Sequence, residues 1–297
     1  MKVAVIHGIG NRFEGYETIA AAWLPAMNSG LREAGFPIIE KPDFTPIFFG
    51  SIFRPNEARG SETTLSANDE EWIREMLLEF NREAARLADL NRSDEDAKGE
   101  DPRVQSPGDS RRGEELTRGR TPQGLQAILK QLSKSRFFKA LGPERLLLAD
   151  LREVRRYLHE PEIKAAVLAR FEECIHAETR VLVGHSLGSV VAYEGLCKHP
   201  EWKIRTLVTL GSPLGIRTLV FDALTPKPSN GRGAWPNVRD WVNIADKGDI
   251  VALEKELSDF FGPVEDVPIY NGWAAHDVRR YLTAKETGQA IGGGLKP

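Results

Sequence analysis

Ser186 lies between two glycines, in the pattern Gly184-x-Ser186-x-Gly188, where an expected strand turns directly into an expected helix. Residues 181–183 are apolar and predict a buried strand, whereas 187–196 carry the apolar and small residues of a helix. So sharp a turn strains its middle residue, and glycines two positions away remove the side chains that would collide. The helix also directs its free N–H groups and positive dipole end at this point. The pattern predicts a nucleophilic serine that needs an acid, a histidine and an oxyanion site.

The histidines decide where a base for Ser186 would come from. A serine hydroxyl is a poor nucleophile near neutral pH, and its base needs a partner that fixes the tautomer. His276 follows Ser186 and lies in a loop after an expected strand, so we predict that it is the base. His199 also follows Ser186, but it falls at the far end of the expected helix, roughly 15–20 Å away at 1.5 Å per residue. We interpret three further histidines as surface or packing residues: His159, His176 and His185.

Two aspartates follow the expected strand that precedes His276 in the chain, Asp246 and Asp249. Asp249 stands beyond a glycine turn and before an apolar pair that would anchor it against the sheet, so we favour it as the acid. Asp246 is the second choice, because an aspartate in an Asp-x-Gly sequence commonly caps its own turn. We interpret Asp277 as a charge at a helix N-terminus.

The segment His7-Gly8-Ile9-Gly10-Asn11 follows the first expected strand, at residues 3–6. A glycine-rich turn after a buried strand exposes backbone N–H groups and lets a bound oxygen approach closely. The N–H of Ile9 is therefore a candidate oxyanion donor, and a plain strand-to-helix turn explains the segment equally well. We interpret His7 as a brace for this turn rather than a proton-transfer group.

Composition excludes several functional classes. The 297 residues suffice for one large domain or two small ones, and the net charge of −3 with a pI near 6.1 does not favour nucleic acid or an anionic membrane surface. Cys174 and Cys197 form no disulfide framework, and no spacing of His and acidic residues indicates a metal site, so no cofactor is expected. No stretch approaches 18 apolar residues, and the first residues lack the features of a signal peptide, so we expect a cytoplasmic protein without a transmembrane segment.

The chain alternates between apolar strands and amphipathic helices, which predicts an α/β fold with a mostly parallel sheet. Residues 16–34 form an expected helix between the first two strands, and the strand, helix, strand order starts a parallel unit. The expected strands are 3–6, 44–49, 181–183, 204–210, 241–245 and 268–270.

Residues 55–143 interrupt this alternation. Within them, 73–87 and 123–140 have helical apolar spacing, whereas 91–121 are dominated by charged residues, Gly, Pro and Ser and predict a flexible loop. An insertion of this length would be a lid over the active site or an oligomer surface. Residues 214–238 form a second, shorter excursion that we interpret as a small cap segment.

As an ordered set, these motifs resemble the α/β-hydrolases, in particular the lipase-like group that includes the PGAP-type GPI inositol deacylases and related bacterial serine hydrolases. The resemblance implies an α/β-hydrolase core over 1–54 and 144–297, with 55–143 as a helical lid-like insertion. The matching segments are 7–11, 184–189, 211–215, 241–251 and 276–282.

The resemblance implies a serine hydrolase that cleaves a carboxylic ester of a small or lipid-like molecule. It implies Ser186 as nucleophile, His276 as base, an aspartate partner, and the N–H groups of Leu187 and Ile9 as oxyanion hole, with Gly8, Gly184 and Gly188 in support. Two features depart from the family pattern. The chain begins at the oxyanion strand, without the usual first two strands, and the long insertion is not shared, so the substrate cannot be carried over.

Two alternatives stay open. The same nucleophile and base would serve a thioesterase, an amidase or an acyltransferase, because leaving-group preference depends on the walls of the pocket. The fold could also serve as a non-catalytic interaction module with the insertion as a partner surface. Whether the insertion covers the pocket at Ser186 or projects away from it discriminates between enzyme and module.

Overall fold

Six parallel strands form one sheet at the centre of the molecule, whose computed structural model describes residues 2–54, 65–98, 123–133 and 144–296. The spatial order is β2-β1-β3-β4-β5-β6, and every neighbouring pair is parallel. The strands are β1 (Val3–Ile6), β2 (Phe44–Ile47), β3 (Val181–His185), β4 (Thr206–Leu210), β5 (Asp240–Asp246) and β6 (Glu265–Ile269).

Helices cover both faces of the sheet. Successive residues of a strand point to opposite faces, so Val3 and Val5 belong to one apolar core while Ala4 and Ile6 belong to the other. All four side chains are fully buried, which explains why the strands are continuous apolar runs rather than alternating ones. The expected α/β architecture with helices around a sheet is confirmed, and the described sheet is wholly parallel.

The helices divide between the two faces. One face is covered by the first helix and the last two, and the other face by the remaining helices. We find no helix in the described ranges with an 18-residue stretch apolar enough to span a lipid bilayer. The helices are α1 (Tyr16–Glu33), α2 (Ala67–Lys98), α3 (Gln123–Leu132), α4 (Glu144–His159), α5 (Pro161–Glu173), α6 (Leu187–Lys198), α7 (Ser258–Phe261), α8 (Val278–Thr283) and α9 (Lys285–Leu295).

The insertion differs from its prediction in one respect. The predicted flexible loop at 91–121 begins too early, because α2 continues as a helix to Lys98. Glu, Ala and Lys in this segment have high intrinsic helix propensity, so a charged composition does not by itself end a helix. The remainder of that loop, and residues 55–64 and 134–143 of the insertion, lie outside the described residues.

The start of α2 is attached to α4. Ser66 and Asp69 cap the helix reciprocally, each side chain accepting the backbone N–H of the other at 3.1 and 3.0 Å. Asp69 is buried, and its Oδ1 accepts a 2.6 Å hydrogen bond from Nη1 of Arg155 on α4, while Nε of Arg152 lies 3.5 Å from Oδ2. These ionic contacts join the two helices at one end of α2.

Helix α9 was not predicted, and its glycines explain both the omission and the packing. A glycine-rich segment has low helix propensity. In the structure these glycines let α9 approach α1 closely, because a Cβ atom built on Gly288 would lie 2.0 Å from the carbonyl oxygen of Gly30. Nothing lies within 4 Å of a Cβ atom built on Gly293. The contact with α1 therefore compensates for the unfavourable local sequence.

We expect Gly288→Ala to lower the free energy of unfolding by about 2–3 kcal/mol, because the added methyl group forces α9 away from α1. The matched variant Gly293→Ala adds the same group to the same helix in open space, and should raise stability by up to ~1 kcal/mol through helix propensity. Urea unfolding followed by circular dichroism measures both changes. Equal effects of the two substitutions would contradict this account of the packing.

Candidate active site

The candidate residues meet at the carboxyl edge of the sheet. Because the strands are parallel, the segments that follow β1, β3, β4, β5 and β6 emerge at the same edge, where open α/β sheets commonly bind ligands. A cavity of about 280 Å³ lies at this edge. Its lining includes Ile9, Ser186, Leu187 and His276.

Ser186 occupies a strained backbone conformation between β3 and α6. Its φ is +52° and its ψ is −128°, a region that residues with a side chain rarely adopt. The neighbouring glycines make the turn possible. A Cβ atom on Gly188 would lie 2.3 Å from the carbonyl oxygen of Ile6, and one on Gly184 would lie 2.6 Å from Cα of Ser189. The turn therefore packs backbone against backbone at a serine that is itself buried.

The turn after β1 lies directly beside this serine. A Cβ atom on Gly8 would be 2.7 Å from Cβ of Ser186 and 3.2 Å from its Oγ. Nδ2 of Asn11 donates hydrogen bonds to the carbonyl oxygens of Gly8 at 3.2 Å and Ile9 at 3.0 Å, which hold the turn in shape. Ile9 and Leu187, the two predicted oxyanion residues, both line the cavity.

His7 attaches this turn to the neighbouring strand. Its Nδ1 lies 2.6 Å from the carbonyl oxygen of Gly8, and its Nε2 accepts a 3.1 Å hydrogen bond from the N–H of Phe49, just after β2. The imidazole also stacks on the Phe49 ring, with 4.1 Å between centroids. Burial lowers the pKa of His7 to about 4, so the ring is neutral with its proton on Nδ1. Both ring nitrogens are thus engaged in the contacts that a brace requires.

Asp249 and His276 form a buried pair. Nδ1 of His276 lies 2.7 Å from Oδ2 of Asp249, and the Tyr281 hydroxyl donates to the same oxygen at 2.8 Å. The N–H of Val251 donates to Oδ1 at 2.9 Å. Burial alone would favour the neutral acid, but the interaction with His276 and these hydrogen bonds hold the pKa of Asp249 well below its ordinary value. The aspartate is therefore ionised and orients the imidazole.

Asp246 has a different set of partners. Its Oδ1 accepts a 2.6 Å hydrogen bond from the N–H of Gly248, and its Oδ2 accepts the N–H of Asn271. The first bond caps the turn after β5, which is the alternative that the Asp-x-Gly sequence predicts, and the second joins Asp246 to the segment after β6. Of the two candidate acids, the structure brings Asp249 rather than Asp246 to His276.

His185 has a place in the site that sequence reasoning missed. The sequence predicts a surface or packing residue, and His185 is buried as a packing residue would be, but its Nε2 also lies 3.1 Å from the carbonyl oxygen of His276. The two imidazoles are 4.7 Å apart between centroids. Burial lowers the pKa of His185 to about 3, so the ring is neutral. The available signal was its position directly before Ser186.

Gly211, the first residue after β4, makes room for the acid–base pair. Its φ is +54°, and a Cβ atom there would lie 2.7 Å from Oδ2 of Asp249 and 3.1 Å from Nδ1 of His276. A side chain at this position would displace both groups. The sequence motif contained this glycine, but its role depends on loops that are distant in the chain.

Lys255 connects the acid's loop to the insertion. Its Nζ donates to the carbonyl oxygen of Asp249 at 2.5 Å and to that of Ala252, and lies 3.7 Å from Oε1 of Glu83 on α2. Burial lowers the pKa of Lys255, although the nearby carboxylates of Asp249 and Glu83 act in the opposite direction. No local pattern in the sequence indicates this contact.

The other titratable candidates are not part of the acid–base pair. His159 and His176 are exposed, and His199 is paired with Glu201 at the far end of α6. Asp277 caps α8 through a 2.9 Å hydrogen bond from the N–H of Arg279, as predicted for a helix N-terminal charge, and it also lines the cavity.

Helices α2 and α4 form an apolar wall of the cavity. Of these two helices, only α2 belongs to the insertion, and its Met76 and Phe80 line the pocket at Ser186, so this part of the insertion faces the pocket rather than projecting away from it. This wall consists of Met76 and Phe80 on α2 and Leu147, Leu151 and Val154 on α4.

Comparisons of this chain with protein-family models, curated proteins and solved structures gave no match. Within the four described ranges, no group of three or more His, Cys, Asp or Glu side chains is arranged to hold a metal ion.

We expect the buried neutral His185 to contribute to acid sensitivity. Below the ordinary histidine pKa of 6.5 the unfolded chain binds a proton that the folded protein excludes, so stability falls from pH 6.5 towards pH 3. Between pH 7.5 and 5 this loss is about 2 kcal/mol. His185→Gln should remove that part of the loss, so the wild-type and variant stabilities converge as the pH falls. Urea unfolding at both pH values tests this, and two parallel pH profiles would contradict it.

Proposed function

We propose that the protein is a serine hydrolase with an α/β-hydrolase fold that cleaves carboxylic esters through an acyl-enzyme. One observation carries this proposal. Ser186, strained at a strand-to-helix turn, shares a cavity with His276, and the imidazole Nδ1 is held by the buried carboxylate of Asp249. The parallel strand order and the position of the cavity at the carboxyl edge support the fold assignment.

In the first half of the reaction, Oγ of Ser186 attacks the ester carbonyl carbon while Nε2 of His276 takes the hydroxyl proton. Negative charge moves onto the carbonyl oxygen. When the tetrahedral intermediate collapses, the bond to the alcohol oxygen breaks and the imidazolium returns its proton to that oxygen. Asp249 stabilises the imidazolium without taking its proton. The alcohol leaves, and the acyl group remains on the serine.

In the second half, a water molecule takes the place of the alcohol. His276 accepts a proton from this water as its oxygen attacks the acyl carbon, and then returns the proton to Oγ of Ser186. The carboxylic acid departs, and the hydroxyl is regenerated. In each half of the reaction the imidazole first accepts a proton and then returns it, so one histidine serves both halves.

The oxyanion is stabilised by backbone N–H groups. The N–H of Leu187 belongs to the first turn of α6, where donors have no partner within the helix and the dipole favours negative charge. The N–H of Ile9 is the second donor, in a turn that Gly8 allows to lie against the serine. Removing one such donor typically costs on the order of 100–1,000-fold in kcat.

The enzyme proposal is better supported than an interaction module. Met76 and Phe80 of the insertion line the cavity that contains Ser186, so the insertion contributes a wall of the pocket. A module that uses the insertion as a partner surface needs neither this wall nor an acid–base pair beneath it. Thioester hydrolysis, amide hydrolysis and acyl transfer would use the same groups. Comparing kcat/KM on matched ester, thioester and amide substrates separates these reactions from ester hydrolysis.

We expect a fluorophosphonate probe to form a single adduct on the wild-type protein, measured by intact-protein mass spectrometry. Ser186→Ala and His276→Ala should abolish it, and hydrolysis of an activated ester by Ser186→Ala should fall by on the order of a millionfold in kcat. Asp249→Asn should lower kcat by roughly 10,000-fold, because the imidazole is left in the wrong tautomer.

Asp246→Asn is the matched control, since it makes the same substitution in the same loop at a turn-capping residue. It should lower stability but leave kcat within roughly tenfold of wild type. A folded wild-type protein that takes up no probe, or Ser186→Ala with near wild-type hydrolysis, would refute the proposed function.

The apolar wall favours the acyl group of the ester as its ligand. The cavity volume is about 280 Å³. A short or medium acyl chain fits this space, whereas a long chain would extend beyond it. Met76 and Phe80 would contact this chain from α2.

We therefore expect kcat/KM on 4-nitrophenyl esters to be highest for butyrate to octanoate and to fall about tenfold or more for palmitate. Met76→Trp should shift the optimum towards acetate, because the larger ring fills the cavity. Glu75→Trp places the same ring on the exposed side of α2 and should leave the profile unchanged. A flat chain-length profile would contradict the assignment of the wall to the acyl group.

A further inference from the structure

Asp150 is a charged side chain in the otherwise apolar wall that α4 contributes to the cavity. Leu147, Leu151 and Val154 line the same wall. Burying a carboxylate among apolar groups is costly unless it is compensated. An acid at this position therefore needs a reason that packing does not supply.

The negative charge of the Asp150 carboxylate is only partly compensated by its neighbours. Its Oδ1 accepts a 2.8 Å hydrogen bond from Nη2 of Arg12, and Arg12 is its only hydrogen-bond or ion-pair partner among the residues that the structure describes. Nε of the same guanidinium lies 2.6 Å from Oε1 of Glu153. One positive charge thus serves two carboxylates, whose side chains are only 16% and 7% exposed.

The electrostatics of this cluster agree with a deficit of positive charge. Burial raises the pKa of Asp150 to about 6, even though Arg12 acts to lower it. Burial likewise raises the pKa of Glu153 to about 7, again against the effect of Arg12. A cation or another hydrogen-bond donor beside these groups would favour their ionised forms.

The second oxygen of Asp150 lies beside the turn that carries the proposed oxyanion donor. A Cβ atom built on Gly10 would be 3.2 Å from Oδ2 of Asp150. Gly10 has a φ of +79°, so a glycine suits this position for both its conformation and its lack of a side chain. The carboxylate is thus at the wall of the cavity and next to the segment that packs on Ser186.

We propose that Asp150 determines substrate specificity by accepting a hydrogen bond from a donor group, preferentially a protonated amine, on the acyl part of the substrate. The apolar wall binds the methylene groups of that acyl chain, and Asp150 binds the polar group that it carries. The substrate class is then an ester of an amino- or hydroxy-substituted short acyl chain. This inference rests on the proposed role of Ser186 and adds a second recognition point to the same cavity.

The test compares three 4-nitrophenyl esters of equal chain length: hexanoate, 6-hydroxyhexanoate and 6-aminohexanoate. At pH 8 the amine is protonated and Asp150, with its pKa of about 6, is ionised. We expect Asp150→Asn to lower the kcat/KM ratio of amino ester to hexanoate by about 10–100-fold, because a charge-assisted hydrogen bond is lost. The ratio for the hydroxy ester should fall by less.

Glu153→Gln is the matched control, because it removes one negative charge from the same cluster at a residue that does not line the cavity. It should change the ratio by less than roughly threefold, since a contact and not the cluster's charge alone sets the preference. Equal ratios for wild type and Asp150→Asn would overturn the proposal. A fall confined to the hydroxy ester would overturn the preference for a cation.

A binding measurement separates this proposal from the proposed catalysis. Titration calorimetry of n-hexylammonium on the folded Ser186→Ala protein needs no turnover. We expect the Kd to rise about tenfold or more when Asp150→Asn is added to Ser186→Ala. An unchanged Kd would overturn the role of Asp150 even if the fluorophosphonate labels Ser186. Failure of labelling alone would overturn the hydrolase proposal and leave this binding result to decide the role of Asp150.

Discussion

The buried negative charge of Asp249 is the interaction on which the rest of the site depends. With 1% of its surface exposed, this carboxylate has almost no water to solvate it, and an uncompensated charge at such a depth costs several kcal/mol. Its compensation comes from His276, from the hydroxyl of Tyr281 on α8 and from the backbone of its own loop. Lys255 holds the carbonyl oxygen of the same residue. The loop after β5 and helix α8 therefore both contribute to the pair, and Lys255 links that loop to Glu83 on α2.

Features that depend on neighbouring residues in the chain were predictable from the sequence. The strands are apolar throughout because both faces of the sheet are buried, and the turn at Ser186 is signalled by glycines that its own geometry requires. His276 was found from its order in the chain and its place after a strand. The choice between Asp246 and Asp249 rested on loop position alone, whereas the structure separates them by their partners, a turn in one case and an imidazole in the other.

Features that depend on contacts between distant segments were not predictable. Helix α9 could not be predicted because its glycines have low helix propensity. Only close packing on α1 compensates for this low propensity. Charge content suggested a loop where α2 continues to Lys98, because composition reports what can be buried and not what can stay helical. The contact of His185 with His276 joins residues 91 positions apart, and no periodicity in one sequence encodes such a pair.

The attachment of α2 to α4 at Asp69 has a mechanical consequence. Met76 lies seven residues beyond this attachment, roughly 10 Å along the helix at 1.5 Å per residue, whereas α2 extends much further in the same direction. A second contact lies further along the same helix, where Oε1 of Glu83 is 3.7 Å from Nζ of Lys255. Met76 and Phe80, which line the cavity, lie between these two contacts. The apolar wall is therefore a span of helix supported at both ends, and contacts on either side of it fix its position relative to Ser186.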